Sequence, residues 1–531
     1  MCLFCGLFLA SAGAQSLDPW ATIQKAAIES GKAEFGHWGN NPEKYSSWTT
    51  HSNRLIPVYA FGLRLEKYRG AHSLYRDATK LQQLYGRLPP ATQNPTAEYF
   101  DQTDVYRLQR DAAQAGKKRI ILMVFDGMDW HTTRAAAIAS SGAVNYDHGR
   151  GAGLQFQDYQ GIATDFGYFV TSPHNDGTNI DVNKQIVTNP GGKTPGGYDA
   201  TRAGDTPWAA FPDPLYPIAA GDGDKHAYTD SASSATSLCA GIKTYNDAIN
   251  VDFSGREVLP LARSLQAEGF AIGVVTSVPV SHATPACAYS NNVSRDDYQD
   301  LTRDLLGLPS VFHPGGLPGV DVLIGGGWGE EREKDGAQGE NFVPGNRYLP
   351  AAEMASISVE KGGRYVVSDR VSGQNGSIRL AAGVKTAVEG RHRLFGYFGV
   401  AGGHLPYQTA DGGYDPVESI GNATTSKPEV YSPADIDENP ILADMAVAAA
   451  DVLQARSDRW WLMVEAGDVD WANHSNNIDN SIGAVLSGDL AFDHLVRWIE
   501  SHGGWDDTVL LLTADHGHYL VLDKPQALVG R

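Results

Sequence analysis

Five short stretches of this 531-residue chain set carboxylates, imidazoles, a serine and an arginine where apolar runs end. In "MVFDGMDW", Asp126 closes an apolar run and Gly127 follows. In "TDSASSATSLCAGIKTYN", Asp230 and Ser231 open an Ala/Ser-rich helical pattern. "VTSVPVSHATPACAYSNNVSR" carries His282, Thr284 and Arg295. "WWLMVEAGDVDWANH" carries Glu465, Asp470, Trp471 and His474, and "TVLLLTADHGHYL" carries Asp515, His516 and His518. Singly, each has an ordinary explanation: a turn-capping aspartate, a helix N-cap, a surface ion pair.

As a set they point to metal-assisted chemistry on an anion. A serine at a helix start meets free N–H groups and the positive end of the dipole, which suits an oxygen that carries a phosphoryl group. Arginine offers a planar fork that matches phosphate oxygens. Asp470 and His474 are four apart and share a face if a helical turn begins there, which makes a zinc-type pair. Asp515 and His516 are neighbours on a strand and point to opposite faces. Both can reach one ion only if the backbone turns, which Gly517 permits. Asp126, Glu465, Asp470, His474, Asp515 and His516 cannot all be neutralised by lone hydrogen bonds. A cluster of cations is the economical solution, zinc for the mixed Asp/His sets and magnesium for all-oxygen sets.

The elements that must gather these groups are short apolar runs: "RIILMVFDG", "GFAIGVVTS", "DVLIGGG", "RWWLMVEAG" and "TVLLLTADHG". Each has the length of a buried strand. Helical patterns such as "EVLPLARSLQAEG" and "SIGAVLSGDLAFDHLVRWIESHG" lie between some of them. The alternation predicts an α/β fold with three αβα layers, a mostly parallel central sheet and helices on both faces. In such sheets ligands bind outside the carboxyl ends of the strands, where the five stretches fall. Residues 15–115 read as an N-terminal extension, 116–531 as the catalytic domain, and about 131–228 as a large loop-rich insertion in it; 330–440 is similarly loop-rich.

The formal charge of −20 argues against nucleic acid and anionic membrane as partners. No segment has the 18 or more apolar residues of a membrane span. The apolar run Cys2–Ala10, followed by Ala12-Gly13-Ala14, reads as a signal peptide over residues 1–14 and predicts a secreted or periplasmic protein. Cleavage leaves Cys239 and Cys287, as free thiols or as one disulfide.

In this order and spacing the five stretches resemble the alkaline phosphatase family, from about Lys117 to Arg531. The resemblance implies hydrolysis of small-molecule phosphate monoesters, two zinc ions and one magnesium. It makes Ser231 the nucleophile that forms a phosphoserine and Arg295, positioned by Asp230, the grip on phosphate oxygens. It assigns Asp126, Asp515 and His516 to one zinc, Asp470 and His474 to the other, and Asp126, Thr284 and Glu465 to magnesium. His518 supports Asp470. His282 and Trp471 tune the site from outside the ligand sets. A homodimer is the assembly considered. The family's second zinc takes a further histidine from well beyond the "TADHGH" segment, and the chain ends at Arg531 first. The expectation is a C-terminally truncated chain with that zinc one ligand short; His404 and His392 are candidates in number only. A phosphodiesterase or sulfatase of the same superfamily, or an inactive metal-binding remnant, are the competing readings.

Overall fold

The computed structural model describes residues 18–221, 225–421 and 424–530. The expected signal peptide lies outside these residues. Ten strands form one mixed sheet: β1 (Leu55–Phe61), β2 (Phe100–Asp101), β3 (Arg119–Phe125), β4 (Thr164–Val170), β5 (Ala271–Pro279), β6 (Val322–Gly326), β7 (Tyr365–Asp369), β8 (Arg393–Tyr397), β9 (Trp460–Ala466) and β10 (Thr508–Thr513). Their order across the sheet is β7-β8-β6-β5-β9-β3-β10-β1-β4-β2. The seven strands from β7 to β10 run parallel. β1 is antiparallel to both β10 and β4.

The central strands are apolar throughout because both faces are covered. Adjacent residues of β9 show this. The Trp460 ring packs edge-on against Trp498, at 5.6 Å, whereas Trp461 Nε1 donates to Gln109 Oε1 at 2.8 Å. Trp498 lies on a long helix, Ile478–Ser501, and Gln109 on Thr103–Gln114, so these two helices cover opposite faces. Leu442–Arg456 joins the first layer, and Ser231–Ala240 with Ala283–Cys287 the second. Gly488 is needed in the long helix, because a Cβ there would lie 2.3 Å from the Phe125 ring of β3.

Three regions read as peripheral are built into this frame. Residues 15–115, expected as an extension, contribute β1 and β2, and β1 pairs with β10 from Leu510↔Phe61 to Thr513↔Val58. The 131–228 stretch contains most of the helix Trp130–Ser141 and the strand β4. The 330–440 stretch supplies β7, β8 and the helix Gly376–Gly390 between them. Cys239 and Cys287 are free and buried.

Candidate active site

The parallel strands β5, β9, β3 and β10 are neighbours, so their carboxyl ends deliver side chains to one place. Asp126 follows β3, and its N–H donates to Ala466 O at the end of β9, at 3.1 Å. Glu465 is the penultimate residue of β9, and Asp515 and His516 follow β10 after Ala514. The turn after β3 brings backbone against side chains. Gly127 adopts φ +73°, and a Cβ there would meet the His518 ring at 2.9 Å. Its N–H donates to Asp515 Oδ1 at 3.1 Å.

Ser231 is the first residue of its helix, and Asp230 is the N-cap, accepting from Ser233 N at 2.9 Å. The capping role and the site role thus coexist in one residue. The second oxygen of Asp230 accepts from Arg295 Nη1 at 3.0 Å and from Asp247 N at 3.1 Å. Burial opposes ionisation of Asp230, but Arg295 holds its carboxyl below the ordinary value. Ser231 Oγ lies 3.0 Å from His516 Nε2.

Three donor clusters surround this serine. In the first, His516 Nε2 stands 3.1 Å from Asp126 Oδ1, 3.6 Å from Asp515 Oδ2 and 3.8 Å from Asp470 Oδ1. In the second, Asp126, His282 and Glu465 each aim an oxygen or ring nitrogen into a space less than 4.8 Å across. Thr284 Oγ1 donates to Asp126 Oδ2 at 3.5 Å, and Glu465 is held by the Thr276 hydroxyl. His282, expected outside the ligand sets, stands among them, with Arg295 Nη2 3.3 Å from its Nε2. Trp471 packs edge-on to His282 at 5.7 Å.

The third cluster is His51, Asp470, His474 and His518. His51 and His474 present their Nε2 atoms to Asp470 Oδ1, each at 3.5 Å, and to one another at 3.1 Å. The Nδ1 of His474 faces the Thr49 carbonyl at 2.8 Å. A carbonyl only accepts, so Nδ1 carries the proton and Nε2 of the neutral ring keeps its lone pair. His518 Nε2 bonds Asp470 Oδ1 at 2.8 Å.

His51 is the residue that sequence reasoning passed over. It precedes β1, and its short strand pairs antiparallel with Gly517–His518, His51 opposite His518. The signal is a histidine just before an apolar run in "THSNRLIPVYAFG", within a stretch that reads as an extension. His404 does not reach the cluster. It is buried, stacked 4.1 Å from Tyr407, with Nε2 3.2 Å from Glu429. His392 sits at the turn into β8.

The electrostatics are those of a site built for cations. Burial and then the charges of Asp470 and Glu465 push Asp126 well above the carboxylate range. Burial and Asp126 do the same to Asp515, and Glu465 is pushed up to about 8, chiefly by burial. Burial works against Asp470 too, but His474, His51 and His518 bring it well below its ordinary value. His51 and His518 are lowered by burial, so both rings stay neutral. Asp126 Oδ1 and Glu465 Oε1 are buried without a hydrogen-bond partner. Such an arrangement is costly for protein groups alone. The donors fit the implied ions: two mixed nitrogen/oxygen sets for zinc, and a set of Asp126, Glu465 and Thr284 oxygens beside His282 for magnesium. A cavity of about 430 Å³ opens over Ser231, Arg295 and His474, with Trp471, Tyr407, Pro416, Val417, Ser419 and Glu429 in its wall.

Comparison with known proteins gives a match to the family model described as alkaline phosphatase over residues 220–527. Alkaline phosphatase 4 of Bacillus subtilis is 25% identical over 295 residues, 56% of this chain and 50% of that protein. Alkaline phosphatase of Escherichia coli is 27% identical over 312 residues, 55% of this chain and 58% of that protein. The chain thus spans about half the length of the curated relatives it matches. The crystal structure of a cold-active alkaline phosphatase from Shewanella sp. aligns with a TM-score of 0.43 at 21% identity, over 75% of this chain and 68% of that one.

Proposed function

Because the chain belongs to the alkaline phosphatase family, we propose that it hydrolyses phosphate monoesters through a covalent phosphoserine at Ser231. Asp126, Asp515 and His516 would hold one zinc. Asp470, His474 and His51 would hold the second, with one of its ligands coming from the N-terminal segment. Asp126, Thr284 and Glu465 would hold magnesium, with His282 beside them. When bound, these ions supply Lewis-acid stabilisation at the attacking and leaving oxygens.

The chain's own groups do the rest. Ser231 sits at a helix N-terminus, where local N–H groups and the dipole favour an oxygen that loses its proton and gains a phosphoryl group. Arg295, held by Asp230 at 3.0 Å, offers its remaining N–H groups to two non-bridging phosphate oxygens. In the first displacement the P–O bond to the alcohol breaks as the bond to Ser231 Oγ forms. The serine proton leaves and the alcohol oxygen is protonated on release. Water then cleaves the phosphoserine and inorganic phosphate departs, which splits one difficult displacement into two. His518 fixes the orientation of Asp470.

The observation that carries the reading is the convergence on one cavity of Ser231, Arg295 and three carboxylate/imidazole clusters. The apolar Cys2–Ala10 run supports export. The test uses the full chain reloaded with zinc and magnesium. p-Nitrophenyl phosphate should be cleaved much faster than its bis-ester, and acid quench with labelled substrate should leave label on the wild type and none on Ser231→Ala. Preference for the bis-ester would replace this reading by the diesterase one. Turnover without any label would remove the covalent intermediate.

A further inference from the structure

A phosphoryl group fills only part of the cavity over Ser231. Its volume of about 430 Å³ falls among pockets that enclose a whole small ligand, about 300–1,000 Å³. Ser231 and Arg295 account for one part of the lining. The remainder includes Trp471, Tyr407, Pro428 and Lys427, to which the displacement itself gives no role.

Trp471 is half-buried. Its ring neighbours His282, His404 and Tyr407 stand nearly perpendicular to it, at interplanar angles of 74°, 75° and 70°. No ring stacks on the indole among the described residues, so a flat group entering the cavity can lie against it. Tyr407 is itself held, stacked on His404 at 4.1 Å.

Lys427 differs in kind. It is exposed at the rim of the cavity and makes no ion pair and no hydrogen bond among the described residues. Glu429, the acid two residues on, is already engaged: its Oε1 faces His404 Nε2 at 3.2 Å, and its Oε2 accepts from Tyr431 OH at 2.6 Å. The backbone is fixed on both sides of Lys427. Before it, Ser419–Gly421 pairs with Thr424–Ser426, and Ile420 N donates to Ser475 O at 2.9 Å, one residue past His474. After it, Tyr431 OH accepts from Tyr407 N at 3.1 Å. In a chain of net charge −20, an unpaired lysine at this rim is a local exception that attracts anions.

We propose that this part of the cavity is a subsite for the alcohol portion of the substrate, and that it selects aromatic phosphate monoesters with a carboxylate on the ring. The inference rests on the phosphatase reading above and names its substrate class. With the phosphoryl group against Ser231 and Arg295, the ring lies on Trp471 beside Tyr407, and Lys427 faces the remote carboxylate. Trp471 supplies contact area. Lys427 supplies attraction at the rim, where a charge acts on the association rate as well as on affinity. A small aliphatic alcohol gains neither contact.

The test compares kcat/KM of the full chain, reloaded with zinc and magnesium, on phenyl phosphate, 4-carboxyphenyl phosphate and glycerol 2-phosphate. Each ratio between esters is read in a variant relative to wild type, which cancels their intrinsic reactivity. Lys427→Ala should lower the 4-carboxyphenyl-to-phenyl ratio about threefold and Lys427→Glu about tenfold, whereas Lys427→Arg should hold it within about twofold. The Lys427→Ala effect should fade as salt rises. Trp471→Ala should lower the phenyl-to-glycerol ratio about fivefold, and Trp471→Phe should restore most of it. A 4-carboxyphenyl-to-phenyl ratio unchanged in both Lys427→Ala and Lys427→Glu overturns the selection by charge. A phenyl-to-glycerol ratio unchanged in Trp471→Ala overturns the ring subsite. Both results are read on an enzyme that turns over; a wild type that cleaves none of the three esters removes the phosphatase reading, and this subsite with it.

Discussion

Replacing His51 by alanine separates a metal ligand from a packing residue. The residue is 8% exposed, its Nε2 lies 3.1 Å from His474 Nε2, and its ring centroid is 3.9 Å from that of His516. If His51 completes the second zinc set, the variant keeps two protein ligands there, too few for a tightly held tetrahedral ion. Zinc content should fall from about two to about one per chain. A leaving oxygen deprived of that charge loses about 3–4 kcal/mol of transition-state stabilisation, a loss of roughly 10²- to 10³-fold in kcat/KM. Stability discriminates further. In the metal-free protein the change removes the His51–His474 hydrogen bond and a buried ring, a cost present whether or not zinc is bound. In the zinc-loaded protein the same change removes linkage stabilisation and should cost about 3 kcal/mol or more. The assays are elemental analysis of dialysed protein, kcat/KM on p-nitrophenyl phosphate, and Tm with and without chelator. Full zinc content with kcat/KM within about threefold of wild type would refute the assignment. An equal stability loss with and without zinc would make His51 a packing residue only.

Two further outcomes follow from named side chains. Trp471 lines the cavity and packs against His282, so Trp471→Lys adds a cation near bound phosphate. The phosphate inhibition constant should tighten about tenfold, the equivalent of about 1.4 kcal/mol, and an unchanged constant would remove Trp471 from the phosphate environment. Asp489 accepts from Gln155 N and Phe156 N at 2.9 and 3.1 Å, yet burial raises it from 3.8 to about 7. A folded-state pKa above the unfolded one means its contribution is complete below about pH 4, declines as pH rises and is gone above about pH 7, a span of about 4 kcal/mol. Asp489→Asn should lack this slope, so the difference in Tm between variant and wild type should move toward the variant from pH 4 to pH 8; a constant difference would contradict the shifted ionisation.

The strands legible in the sequence are those buried on both faces. "RIILMVF", "AIGVVTSVP", "WWLMVEA" and "TVLLLT" are predominantly apolar because, Arg119 apart, every residue in them is buried. Their ends carried Asp126, Glu465 and Asp515, so that part of the site came with them. The strands missed have mixed patterns. β1 contains Pro57, which argues against an inner strand. It is tolerated because the β10 ladder stops at Val58 and Pro57 pairs only with Tyr168 of β4. β7 and β8 are five residues each and end in Asp369 and Tyr397, in a stretch where glycine and loop residues dominate. The place of His282 was not legible either. Its entry into the Asp126–Glu465 cluster depends on how the turn after β5 aims the ring, and spacing along the chain does not encode that.

The same reasoning explains why the N-terminal segment belongs to the site rather than beside it. Residues 36–61 lie along 508–522 through three antiparallel ladders: His37–Trp38 with Leu520–Val521, His51–Ser52 with Gly517–His518, and β1 with β10. The backbones come so close at one point that a Cβ on Gly36 would sit 1.9 Å from Val521 O. Ser52 Oγ adds a hydrogen bond to His518 O at 2.9 Å, and Arg54 Nη1 bridges Asp129 Oδ2 and Leu520 O at 2.5 and 2.7 Å. Arg54 and Asp129 are both buried, where losing one partner leaves an uncompensated charge and costs about 3–5 kcal/mol. The stitching therefore fixes the height of His51 against His518 and, through Thr49 O, the tautomer of His474. A register slip of one residue would turn His51 to the other face of its strand and remove two contacts to the Asp470 cluster at once. The geometry of that cluster is thus set by pairing between segments more than four hundred residues apart, and local sequence around Asp470 and His474 carries only half of it.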